Sequence, residues 1–552
     1  MKKSLLALLL SMGTGFAFGQ LVNDGATITI QSGATLFVES NVTNMGTGSI
    51  TVQNGGTLEV QGNLTNSATG TLSTVGTGKV KFSGTAASSL TSAGDPIGNL
   101  EIAKTGAGVV NLSDPASVTT NLNFVSNNLN IGANDLTLAT AATATGATAT
   151  SHIITPLAGK VIKTALTNFT YPVSFDAATY NPITITQSTT DNIGVRVLQN
   201  AYKDGPAATM SFTNGVVNAS WDVTSSGGAS VLDLTPQWAA SDELPGFKRP
   251  ESAVSKYVGP NYDAILANLG AAAGSDPYTR SRTGATAGLY VVGSDEVLTY
   301  LAIDAKMNLS SYSATSGLMG DALRSNNLLP LKEPYKTYDP DGNGTPNFIH
   351  VGRANTVRDS VLLYSDFDKT GTNDDVVDWV FVQVRNTTAP YGVVATRSAL
   401  LQRDGDVVGV DGNPVRILGV APGTYKVALR HRNHLGVMTN ANKSLSSTAT
   451  LIDFTNATTP ETPLPDLTKL VLVSGTTPEY ALRGGDANAS GTTNAIDRNS
   501  FFLIYNGVTM TLPAQYLTAG TADYNLSRVV NAIDDNNFWL PNSGITQGFN
   551  NN

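Results

Sequence analysis

Along the first quarter of the chain, apolar and polar residues alternate in short bursts, and the bursts repeat. Gly33-Ala-Thr-Leu-Phe-Val-Glu-Ser-Asn-Val-Thr-Asn44 aligns with Gly55-Gly-Thr-Leu-Glu-Val-Gln-Gly-Asn-Leu-Thr-Asn66 at an offset of 55 − 33 = 22 residues. Leu36 and Val38, like Leu58 and Val60, point one way with a polar or outward residue between them, the period of a half-buried strand. A repeat of this length suits one coil of a parallel β-helix, with about three short strands per coil. Stacking the coils sets Leu on Leu and Asn on Asn, which buries one continuous core and lets an Asn ladder satisfy the turns. A looser echo follows: Asn121-Leu-Asn-Phe124, Asn128-Leu-Asn-Ile131 and Asp135-Leu-Thr-Leu138 recur every seven residues. Residues 20–150 are therefore expected to form right-handed parallel β-helix-like repeats, closed by the Ala/Thr run at 139–147. An ordinary β-sandwich is the competing reading.

Beyond residue 150 the pattern changes. Phe169-Thr-Tyr-Pro-Val-Ser-Phe175, Ile183-Thr-Ile-Thr186, Ile193-Gly-Val-Arg-Val197, Ala219-Ser-Trp-Asp-Val223 and Gly288-Leu-Tyr-Val-Val292 read as strands between turn signals. With Trp221 and Trp238 as core anchors, residues 151–297 are expected to form a β-sandwich-like domain. Residues 298–455 predict a second, with Val376-Val-Asp-Trp-Val-Phe-Val-Gln-Val-Arg385 as its strongest strand. Residues 456–467, rich in Thr and Pro, read as a linker. The module after it, residues 468–548, has apolar spacing that permits short helices at 494–505 and 532–540. The expected fold class is mainly β: an N-terminal parallel β-helix, two β-sandwich-like domains and a small α-helical C-terminal module.

Composition narrows the function. Of 552 residues only 14% are charged, against the usual quarter or so, and 54 are Gly. That suits strands and tight turns and excludes helical bundles, whose exposed faces need Glu, Lys and Arg. The net charge is −9 and no basic cluster stands out, so nucleic acid is not expected as a partner. Lys2 and Lys3 precede an apolar stretch at 4–18, and Ala17-Phe18-Gly19 supplies small residues at a cleavage site. Residues 1–19 thus read as a signal peptide. The stretch is short for a membrane anchor, with Gly13 and Gly15 inside it, and no later segment is long and apolar enough to span. A secreted or cell-surface protein is expected, with no stable membrane span after cleavage. It has no cysteine, hence no disulfides, and its stability rests on β cores, with bound metal as a further source.

One pattern carries clear chemistry. Asp486-Ala-Asn-Ala-Ser-Gly-Thr-Thr-Asn-Ala-Ile-Asp497 places oxygen-bearing residues at positions 1, 3, 5 and 12 of a loop, with Gly491 at position 6. Asp523-Tyr-Asn-Leu-Ser-Arg-Val-Val-Asn-Ala-Ile-Asp534 repeats it after 523 − 486 = 37 residues. A hard cation such as Ca²⁺ takes about six to eight oxygens. Such a loop turns side chains 1, 3 and 5 inward, offers the carbonyl of position 7 and closes with position 12.

These two loops, each followed by a helical pattern, resemble dockerin modules over residues 484–540. The resemblance implies calcium ligands Asp486, Asn488, Ser490, the Thr492 carbonyl and Asp497 in the first loop. In the second they are Asp523, Asn525, Ser527, the Val529 carbonyl and Asp534. Dockerins bind cohesins through recognition residues on their helices, which this sequence does not identify, so the resemblance supports the module and a cohesin-like partner stays an alternative. Two departures stand out. Position 5, usually Asp in the family, is Ser in both loops, leaving two carboxylates each, and Arg528 replaces the turn Gly of the second. Weak binding of about 10⁻⁴–10⁻³ M is expected.

A second resemblance spans most of the chain. Asn326-Asn-Leu-Leu-Pro-Leu-Lys-Glu-Pro-Tyr335, Val377-Asp-Trp-Val-Phe-Val-Gln-Val-Arg385, Ser398-Ala-Leu-Leu-Gln-Arg-Asp-Gly-Asp406 and Arg430-His-Arg-Asn-His-Leu-Gly-Val-Met438 are similar to phrases of a hemagglutinin-like family of secreted Bacteroidota surface proteins. It implies an exported, surface-associated or released protein of adhesive type; a glycan or a surface protein is the ligand expected of such a chain.

Other candidates compete. His431 and His434, three apart on a strand, would face opposite sides and serve as strand-end hydrogen-bonding groups. Asp339-Pro-Asp-Gly-Asn-Gly344 could hold a further cation, with Asp366, Asp368, Asp374 and Asp375 nearby. Charges in the β-helix are scattered and form no evident carboxylate pair, so no catalytic residues are assigned and no enzyme is expected. The leading expectation is an adhesive or structural multidomain protein with a calcium-binding module. The alternatives are a non-catalytic component of an extracellular polysaccharide-degrading assembly, and a β-helix polysaccharide lyase or hydrolase.

Overall fold

The computed structural model describes residues 16–228, 230–340, 343–350, 359–368 and 373–550. The protein is mainly β. It divides into two compact units. One holds the described residues up to Ala264 together with Asn268–Leu298; the other holds Ile265–Ala267 and the described residues from Thr299 onward. The leader expected at 1–19 lies outside the described residues as far as residue 15. Phe16–Phe18 is a strand parallel to Thr35–Val38.

The first unit begins as a parallel β-solenoid of about seven coils. Strands Thr35–Val38, Thr57–Val60, Lys79–Phe82, Ile97–Ala103 and Ala116–Ser126 stack along one face. Leu36 pairs with Leu58, Val38 with Val60 and Asn44 with Asn66, the 22-residue offset seen in the sequence. All four aliphatic side chains are buried. The seven-residue echo is the step from one face of a coil to the next: Leu122, Leu129 and Leu136 lie on successive strands. Each strand then meets its copy one coil later, Asn121 on Thr143 and Leu129 on Ile153.

Inside the stack, buried polar groups satisfy one another. The Asn23 amide donates to Asn44 Oδ1 at 2.8 Å, the Asn44 amide to Asn66 Oδ1 at 2.7 Å, and the Asn66 amide to Asp95 Oδ2 at 3.0 Å. Lys104, fully buried, spends its ammonium on the carbonyls of Gln61 and Ser83 and the Ser88 hydroxyl.

Val161–Tyr171 ends the solenoid, parallel to Leu136–Leu138 on one side and antiparallel to Ile183–Gln199 on the other. From there the strands run antiparallel, through Ala219–Ser225, Leu232–Trp238, Ala253–Lys256 and Gly288–Gly293. One core continues from Ile30 to Val292 and includes Trp221 and Trp238, both fully buried. Strand direction changes near residue 160; the core does not break there.

The second unit is built on a nine-stranded sheet. Its middle strand, Val376–Arg385, is buried along its whole length between Val393–Gln402 and Gly423–His431. Gly423–His431 turns back at once into His434–Met438. The 456–467 segment runs along this sheet: Asn440 N–H donates to the Thr462 carbonyl and Leu464 N–H to the Met438 carbonyl. The chain from 468 onward shares the sheet's core, where Leu470, Met510, Tyr516 and Leu526 cluster with Trp379 and Leu429. Helical turns occupy residues 495–505 and 532–542.

Candidate metal centre

The two repeated loops fold alike, bond for bond. In the first, Asp486 Oδ1 accepts from Ser490 N–H at 2.9 Å and Asp486 Oδ2 from Gly491 N–H at 2.8 Å. In the second, Asp523 Oδ1 accepts from Ser527 N–H at 2.9 Å and Asp523 Oδ2 from Arg528 N–H at 2.7 Å. Asn488 Oδ1 and Asn525 Oδ1 accept from the same position-5 amides at 3.1 Å. The hydroxyls of Ser490 and Ser527 donate to the carbonyls of Thr492 and Val529 at 3.2 Å. Position 12 closes each loop: Asp497 Oδ2 accepts from Asn494 N–H at 2.7 Å and Asp534 Oδ2 from Asn531 N–H at 2.9 Å. Asn494 and Asn531 also cap the helical turns that follow, accepting from Ile496 and Ile533 N–H at 2.8 Å.

Each loop is held by the segment that follows the other loop's helix. Residues 544–547 strap the first, with Gly544 N–H on the Thr493 carbonyl and Gln547 N–H on the Gly491 carbonyl. Residues 507–510 strap the second, with Gly507 N–H on the Val530 carbonyl and Met510 N–H on the Arg528 carbonyl. The offset is again 544 − 507 = 37 residues. Between the helices, Arg498 grips Asp535 with two bonds of 2.8 and 2.9 Å.

The donor set fits a hard cation. Each loop gathers two carboxylates, an Asn carbonyl, a Ser hydroxyl and a main-chain carbonyl, all oxygen. The four carboxylates are buried. Burial pushes Asp486 and Asp497 up, and Asp486 repels Asp497 further. Burial likewise pushes Asp523 up to about 7, with repulsion from Asp534 added, and Asp534 up to about 6. Two buried like charges in one loop call for a divalent cation or for protons. Among the described residues, no group of three or more His, Cys, Asp or Glu gathers around one point, so a cation in either loop would draw most of its ligands from neutral oxygens.

The other sequence candidates fall elsewhere. Asp341 and Gly342 lie outside the described residues; Asp339 accepts from Gly344 N–H at 2.8 Å. Asp368 and Asp375 lie 2.9 and 3.3 Å from the Arg324 guanidinium, and Asp366 caps a short turn, so that acidic group already has partners. His431 and His434 do not face opposite sides. They sit on two strands of one hairpin and pair across it, with their Nδ1 atoms 3.0 Å apart. The odd-offset argument holds only within one strand, and the chain reverses between them.

That hairpin is the feature the sequence reading missed. Asp378, on the middle strand, receives His431 Nε2 and Arg432 at 3.1 Å each, and the Tyr516 hydroxyl. All four residues are buried. Burial raises the Asp378 carboxyl's pKa, but Arg432 and His431 outweigh it and the net shift is downward. The available signal was the run Arg430-His-Arg-Asn-His434, five polar residues between two apolar strands. Compared with protein-family models, with curated proteins and with solved structures, the chain matches none.

Proposed function

We propose that this chain is an exported, non-catalytic protein of adhesive or structural type, whose C-terminal loops bind calcium in a dockerin-like module. The observation that carries the calcium reading is the bond-for-bond agreement of the two loops although position 6 is Gly in one and Arg in the other. The matching bonds join the residues the loops share, Asp, Asn and Ser at positions 1, 3 and 5 and Asn-Ala-Ile-Asp at 9–12, which is the oxygen set that a calcium loop uses. The solenoid and the antiparallel sheets, each built on its own extended core, support a scaffold that displays binding surface, with glycans or surface proteins as ligands. The leader pattern at 1–19 supports export.

A second reading, docking into a larger extracellular assembly, is favoured by one observation. Ile496 and Leu503 are about half exposed on the first helical segment, and Ile533 and Leu540 repeat them at an offset of 37 residues on the second. Paired apolar side chains at matched positions suit a protein partner of the cohesin type.

Calorimetric titration of the full chain with Ca²⁺ tests the proposal. Two sites with dissociation constants of about 10⁻⁴–10⁻³ M are expected. Asp486→Ala with Asp497→Ala should remove one, and Asp523→Ala with Asp534→Ala the other. Absence of binding at millimolar Ca²⁺ would sink the calcium reading. Calcium-dependent capture by an immobilised cohesin would favour docking over simple adhesion.

A further inference from the structure

Both loops are tied to a single residue outside them. Asn433, at the tip of the hairpin between Gly423–His431 and His434–Met438, is fully buried. Its main-chain carbonyl accepts from the N–H groups of Gly485 and Asp486 at 3.1 and 3.3 Å, where the first loop begins. Its side-chain amide donates to the carbonyl of Asp523 at 2.9 Å and of Gly520 at 3.2 Å, where the second begins. Position 1 of each loop, the residue on which both main loop bonds converge, is thus fixed by one side of the same asparagine.

The neighbours strengthen the tie. The Arg430 guanidinium donates to the Ala489 carbonyl of the first loop at 3.3 Å, and Arg432 reaches the Gly520 carbonyl ahead of the second. The Tyr338 hydroxyl donates to the carbonyls of Arg432 and Ala487 at 2.9 and 3.1 Å, joining hairpin to first loop from the other side. Arg432 is held in turn by Asp378 in the sheet.

From this geometry we infer that Asn433 is a positioning residue that couples the two loops, so that calcium at one raises the affinity of the other. The inference rests on the calcium reading above. A cation drawing Asp486 inward fixes the peptide at Gly485–Asp486, which fixes the Asn433 carbonyl and with it the amide that orients Asp523. A cation at either loop favours the arrangement in which all of these bonds are made over looser ones in which they part, and linkage makes the effect equal in both directions. The loops therefore belong to the sheet's folding unit and fill together.

The test is a cycle on the full chain. The second loop's calcium affinity is measured with the first loop intact and with Asp486→Asn plus Asp497→Asn, then again in an Asn433→Ala background. Disabling the first loop should weaken the second at least about fivefold, and the Asn433→Ala substitution should bring that ratio close to one. Equal affinity of the second loop with and without the first would overturn the coupling while leaving the calcium reading intact. No calcium binding at either loop would remove both. Should Asn433→Ala fail to fold, hydrogen exchange decides. In a chain carrying Asp523→Asn and Asp534→Asn, calcium in the first loop should still slow exchange in residues 519–526. Protection confined to residues 485–497 would overturn the inference.

Discussion

At position 6 the two loops make opposite choices under the same demand. The position-6 amide must turn toward the position-1 carboxylate, and it does so at φ +83° in Gly491 and +66° in Arg528. A side chain in this left-handed region costs about 1–2 kcal/mol. Space decides which loop can bear it. A Cβ at Gly491 would lie 2.7 Å from the Gln547 side chain, which crosses there in the strap. The Arg528 side chain has room and reaches Asn326 Oδ1 at 3.0 Å. Arg528→Gly should therefore stabilise the chain by about 0.5–1 kcal/mol, since the relieved strain exceeds glycine's added unfolded-state entropy. Because the position-6 N–H reaches the Asp523 carboxylate with Arg in place and glycine can adopt the same φ, the second loop's calcium affinity should stay within about twofold. Thermal melting with parallel titration checks both. A tenfold gain in affinity with no change in calcium-free stability would mean that the ion itself assembles the loop.

At the scale of elements, the solenoid was legible because stacking enforces identity. A coil tolerates only residues that fit the coil above, so Leu36 predicts Leu58 and Asn44 predicts Asn66, and the repeat is written in the letters. The paired loops were legible as a pattern for a related reason: Asp, Asn and Ser recur at the same steps in both. The hairpin at 430–434 was not, because no Gly-rich turn marks the reversal between His431 and His434. Nor was the shared core of the second unit, where the Tyr516 hydroxyl meets Asp378 across 138 residues of chain and no local period encodes the meeting. The ladder also gives a quantitative test of stacking. Asn44 takes one bond from Asn23 and gives bonds to Gly48, Asn66 and Thr71. Asn44→Leu fills the same space but strands these partners in the core, and should cost about 2–4 kcal/mol in denaturant unfolding of the solenoid. Thr65→Val, on the exposed side of the neighbouring coil, should stay within about 0.5 kcal/mol.

For the molecule as a whole, the four loop aspartates link pH to stability and, on the calcium reading proposed above, to the cation as well. In the folded calcium-free chain, burial raises all four above their ordinary value of 3.8. Between about pH 4 and pH 7 the folded chain therefore holds protons that the unfolded chain has released. The stability this provides is fully present below the unfolded value and is lost as pH rises through the folded values, about 6 for Asp534 and 7 for Asp523. On the calcium reading proposed above, the cation would replace those protons and reverse the trend. The buried His431 and His434 add an opposing slope: burial lowers their pKa, so their penalty falls on the acidic side of the ordinary 6.5. That slope is present with or without calcium, so the difference between loaded and calcium-free melting temperatures isolates the aspartates. This difference should be small at about pH 5, grow through pH 6–7 and exceed about 5 °C by pH 8 at saturating calcium. Titration at pH 6 in buffers of different ionisation enthalpy should show protons released as calcium binds. A calcium increment that is flat from pH 5 to 8, with no proton release, would mean that the carboxylates stay ionised in the folded chain and that their burial is offset by groups other than the cation.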